Sequence, residues 1–123
     1  ISTTSDVERL IKMLDNPNKK FQYNAALQLG DYGRQAVAAV PKLRQKLMEF
    51  IAEPSYENLA TDRAATQSLG RIGYADSQTI ELLTILREWA MKEDRQLYQV
   101  ATEALRSLYG GKADAPSKKK SLK

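Results

Sequence analysis

A chain of 123 residues suits one small domain, which can build a useful core without metal or disulfides if its helices stack well. It contains no cysteine and no histidine, which removes disulfide frameworks, thiolate chemistry, the usual metal ligands and the usual neutral-pH proton shuttle. The net charge of +4 sits at one end: Lys112, Lys118, Lys119, Lys120 and Lys123 face only Asp114, and residues 1–111 balance at 14 basic and 14 acidic side chains.

The absence of cysteine leaves the compartment open. A first residue of isoleucine reads as a fragment or a processed chain, and neither a leader nor a lipidation motif is visible. The longest apolar runs fall well short of the roughly 18 residues a membrane span needs, so a soluble domain is the default expectation.

In chain order, Ser5 and Glu8 have the spacing of a capping box, and Val7, Leu10, Ile11 and Leu14 put one apolar stripe on the helix that follows. Asn16 and Pro17 end it and start a second helix over 17–29, with Phe21, Ala25 and Leu29 turned inward and Gly30 and Gly33 marking its stop. A short helical turn is expected around 35–39. Pro41 then opens a third helix to about Ala52, with Val40, Leu43, Leu47, Phe50 and Ile51 inside and Lys42, Gln45, Lys46 and Glu49 outside.

Residues 53–58 read as the longest loop, and a fourth helix follows to about Leu69. Asp76 is placed to cap a fifth helix ending near Lys92. Its two stripes, Ile80, Leu83, Leu86 and Ala90 beside Leu82, Ile85 and Trp89, are more than one neighbour can cover. Asp94 caps a sixth helix carrying Leu97, Ala101, Leu105 and Leu108. The sequence KADAPSKKKSLK has too little apolar surface to offset its ordering entropy, so the expected division is a helical domain at 1–111 and a disordered basic tail at 112–123.

The chain repeats itself. Residues 25–33 (AALQLGDYG) return as 65–73 (ATQSLGRIG) and, more faintly, as 101–109 (ATEALRSLY), which aligns Ala25 with Ala65 and Ala101, and Leu29 with Leu69 and Leu105. These motifs, with Asn16-Pro17, Ala38-Ala39-Val40-Pro41 and Leu43 after the first copy and Ile80 and Leu83 after the second, resemble HEAT repeats of the short bacterial PBS-lyase-like type. Arg106 stands in the third copy where that family has glycine.

The resemblance implies an all-α superhelical solenoid of about six helices. In it the second, fourth and sixth helices form an outer layer, and the first, third and fifth line a concave inner layer that meets partners. The sixth helix would lack its inner mate, leaving the fifth helix and Trp89 at an open end.

Trp89 with Leu82 and Ile85 reads either as a binding anchor or as packing on neighbouring helices. The tail lysines fit a solvated linker or an anion-seeking arm. The inner helices mix Glu8, Arg9 and Lys12 with Lys42, Lys46, Glu49, Glu81, Arg87 and Glu88, which is no phosphate track. Glu93 and Asp94 suit a helix start better than acid–base work, and the glycines lack phosphate-loop spacing. The tyrosines beside repeat turns fit amphipathic packing.

The expected function is therefore a non-catalytic protein-interaction scaffold without a cofactor, binding another protein or another part of its parent chain. Its expected contacts are Lys42, Lys46, Glu49, Arg87, Glu88 and Trp89. A homodimer through the fifth helix is included. Two other classes stay open: an accessory subunit of an enzyme such as a chromophore lyase, and a nucleic-acid module acting through the tail.

Overall fold

The computed structural model describes residues 3–110, with side chains from Ser5 onward. The basic tail expected at 112–123 lies outside the described residues. Six helices follow one another: α1 (Thr3–Met13), α2 (Lys19–Asp31), α3 (Val40–Ala52), α4 (Tyr56–Ile72), α5 (Ser77–Glu93) and α6 (Arg95–Gly110), with a 3-10 segment over Gly33–Ala39 between α2 and α3. None of the described helices is long and apolar enough to cross a membrane.

Local chemistry explains most of the boundaries. Asn16 Oδ1 accepts the N–H of Asn18 at 2.8 Å, and this Asx turn leaves Asn18 extended, so Asn18 caps α2 by accepting from the N–H groups of Lys20 and Phe21. The helix thus starts two residues later than Asn16 and Pro17 imply. Ser5 is not an N-cap, since α1 is already under way at Thr3. Gly30 does not stop α2; the turn comes at Gly33, whose φ of 59° favours glycine. Ser55 caps α4 through the Glu57 N–H, which shortens the expected long loop to residues 53–55. Gly73 ends α4 in the left-handed conformation, and Asp94 caps α6 by accepting the Leu97 N–H at 2.9 Å.

The helices pack in pairs, α1 with α2, α3 with α4 and α5 with α6, and the pairs stack in two layers. Leu10, Leu14, Leu29, Leu43, Leu47, Leu69, Ile72, Leu83, Leu86, Leu97 and Leu108 fill the space between the layers and are essentially inaccessible. The repeat period shows in the bonds between successive units. Lys19 donates to Asn58, Arg34 to the Gly73 carbonyl and Arg71 to Asp31, each across 39 or 40 residues.

Within α2 the buried face is Gln22, Ala25, Ala26, Leu29 and Gly30, while Phe21 is 45% exposed rather than inward. The neighbour is the reason: α4 approaches along the small side of the helix, where Ala26 and Gly30 lie, and that choice rotates Phe21 outward. A methyl group on Gly30 would lie 3.0 Å from Ser68 Cα, and one on Gly70 would lie 2.8 Å from Ala104 Cα. Ser68 Oγ donates to the Ala26 carbonyl across the same seam.

These contacts draw α2, α4 and α6 into close register, whereas α3 meets α5 much less closely and α1 leans on α2 and the 3-10 segment. The helices thus form the two layers that the resemblance implied, α2, α4 and α6 in one and α1, α3 and α5 in the other, and the small residues of the first layer let its helices approach more closely. α5 lies along α6, and no helix follows α6 among the described residues.

Candidate functional site

The six expected contact residues lie on α3 and α5, where Lys46 and Glu49 line one recess and Trp89 another. Lys42 and Lys46 of α3 converge on Asp15 after α1, at 2.7 and 3.6 Å, and the hydrogen bond from Lys42 holds the Asp15 carboxyl below its usual range. Two of the expected contacts thus already serve to tie α1 to α3. Glu49 accepts from Gln45 one turn earlier on the exposed side of α3. Arg87 and Glu88 stand on α5 with no ion pair among the described residues. Trp89 is half-buried, its ring edge-to-face with Phe50 at 5.2 Å and 86°, so packing against the third helix is part of its role.

The layer of α2, α4 and α6 carries a different set. A shallow groove of about 350 Å³ crosses α2, α4 and α6, lined by Tyr23, Leu27, Arg63, Gln67, Gln99 and Val100 among others. The repeat places these side chains. With spacings of 40 and 36 residues, Tyr23, Arg63 and Gln99 form one column, and Leu27, Gln67 and Glu103 form the next. Each column lies two positions before a core column, that of Ala25, Ala65 and Ala101 or that of Leu29, Leu69 and Leu105, so the stacking of the core sets its spacing. The amides of Gln67, Gln96 and Gln99 make no hydrogen bond among the described residues, and Tyr23 is 38% exposed. Arg63 is steadied by Asp94 at 3.6 Å, and Arg71 by Asp31 at 3.0 Å.

These positions were missed because a polar residue on an outer helical face carries no periodic hydrophobic signal. The repeat alignment was the signal that would have found them, had its exposed columns been read as well as its core columns.

A third feature is electrostatic. A polar cleft of about 360 Å³ lies where the start of α2, the end of α3 and the first half of α4 meet, lined by Lys19, Lys46, Glu49, Asn58, Thr61 and Asp62 among others. Asp62 is only 3% exposed, and its Oδ2 has no hydrogen-bond partner among the described residues. Burial pushes its carboxyl up to about 8, with Lys46 and Lys19 pulling it down and Glu49 reinforcing the rise. At neutral pH this group is mostly a protonated acid. It lies one repeat after Gln22, another buried polar side chain, whose amide donates to the Asn16 carbonyl.

Compared with known proteins, residues 7–106 match the family model for HEAT repeats. No curated protein and no solved structure matches the chain.

Proposed function

Since the chain belongs to the HEAT-repeat family, whose stacked helices generally serve contacts between proteins, we propose that it is a non-catalytic interaction module that grips a protein segment in the α2–α4–α6 groove. The observation that carries this reading is the groove itself. It spans all three repeat units and is lined by uncommitted amides and a half-exposed tyrosine on helices locked together by Gly30 and Gly70. Rigid helices hold the contact groups in place before binding, so little ordering entropy is lost on association. Uncommitted glutamines and an aromatic ring suit a polypeptide, whose backbone offers both donors and acceptors. The Leu29-Gly30 and Leu69-Gly70 seams also support the short bacterial PBS-lyase-like subtype.

The test is site-specific photo-crosslinking in cells that make the protein, with the crosslinker at Gln67 or Gln99 and, as control, at exposed Lys12 on α1. Discrete adducts from the groove positions alone are expected. Equal labelling from Lys12, or none from the groove, would refute the assignment.

A second reading concerns self-association. Met48 (52% exposed) and Ile85 (47%) lie with Pro41 and Leu82 along a groove of about 320 Å³ between α3 and α5. This apolar strip between α3 and α5 supports a homodimer through the fifth helix, centred on Ile85 rather than on Trp89.

A further inference from the structure

At the other end of α3 and α5 the chain builds a recess of about 190 Å³ whose lining includes Phe50, Tyr56, Leu59, Trp89, Glu93 and Asp94. Phe50, only 3% exposed, backs the Trp89 ring edge to face at 5.2 Å and 86°, so Trp89 is held firmly at the wall of the recess. Tyr56, the first residue of α4, adds a third ring that is 89% exposed and so gains almost nothing from packing. Two carboxylates complete the lining, and it contains neither lysine nor arginine. Asp94 is partly committed, since it caps α6 and lies 3.6 Å from Arg63. Glu93 makes no hydrogen bond or ion pair among the described residues.

We propose that this recess binds an alkylated ammonium group, the trimethylammonium head of a choline-type molecule or of a methylated lysine side chain. The chemistry is specific to that class. The faces of aromatic rings attract a cation through their quadrupole, and the methyl groups of such a cation make it cheap to desolvate. The carboxylates supply the matching charge. A plain ammonium is strongly hydrated and loses more on entering. The volume suits a small head group, below the roughly 300 Å³ at which drug-sized pockets begin. This site lies apart from the α2–α4–α6 groove and stands whether or not that groove holds a protein.

Trp89 is the only tryptophan in the chain, so its fluorescence reports directly on the recess. The experiment titrates the full chain with choline, with trimethyllysine amide and with 3,3-dimethylbutanol, the neutral isostere of choline. Both cations are expected to give a saturable change in emission, with the neutral isostere weaker by on the order of tenfold. Glu93→Gln and Tyr56→Ala are each expected to weaken the cations by several-fold while the circular dichroism and melting curve stay as in the wild type.

Tighter binding of choline would identify a free small amine as the ligand, and tighter binding of trimethyllysine a modified side chain. Equal affinity for the neutral isostere would reduce the recess to an apolar pocket and overturn the proposal. So would a flat titration with both cations, or titrations unchanged in both variants.

Discussion

The substitution Asp62→Asn should make the protein more stable at alkaline pH and less stable in acid. The Asp62 carboxyl titrates near 3.8 when solvated and is pushed up to about 8 in the fold. Between those values the folded chain holds a proton that the unfolded chain has released, so stability falls as pH rises from about 4 to about 8 and then levels off. At 1.36 kcal/mol per pH unit, a displacement of about four units sets a ceiling of roughly 5 kcal/mol, comparable with the whole stability of a small domain. Lys46 and Lys19 face the same cleft and trim this figure, while Glu49 works against them.

Asparagine has the same shape and no charge, but its amide brings donors that need acceptors, at a cost of about 1–3 kcal/mol if they stay unmet. The variant should therefore fall below the wild type by about 1–3 kcal/mol at pH 4, where the wild-type carboxyl is protonated in the fold and costs nothing. It should lead by about 2–4 kcal/mol at pH 8.5 once that cost is set against the ceiling. Urea unfolding followed by circular dichroism at half-unit steps from pH 4 to 9 measures this. A stability difference that stays constant across that range would show that Asp62 is ionised and paired in the folded protein, and the argument from its burial would fail.

Two further outcomes follow from the stacking. Gly70→Ala gains up to about 1 kcal/mol of helix propensity but forces a methyl group against the Ala104 backbone, an overpacking cost of about 1–3 kcal/mol, so a lower melting temperature is expected. A higher one would mean that α4 and α6 are not in close contact. Light scattering across a concentration series should detect a dimer that Ile85→Lys abolishes and Trp89→Phe preserves. A monomer at every concentration, or a dimer indifferent to Ile85, would exclude the α3–α5 strip as the interface.

Much of this molecule was legible in one dimension. The columns through Ala25 and Leu29 identified the repeat, and Asn and Asp before apolar runs located helix starts to within two residues. Asp76 shows where such local signals stop working. It precedes α5 as expected, but its side chain makes no cap bond; it accepts from Arg44 at 2.8 Å, a residue 32 positions earlier. Asp94 kept its cap because the Leu97 N–H lies within its own turn. The interaction surface divides the same way. Lys42 and Lys46 look like free charges until Asp15 is brought beside them, and Phe21 looks like core until α4 arrives along the opposite side of α2.

Helix type, order and repeat period follow from the pattern of residues along the chain, and the sequence by itself determined them. Which face of each helix meets its neighbour depended on how near Gly30 comes to Ser68 and Gly70 to Ala104. Those distances, the burial of Asp62 and the edge-to-face contact of Phe50 and Trp89 join residues 34 to 39 positions apart or set a side chain against several helices at once. Only the tertiary structure decided them, because no local preference encodes the approach of one helix to another.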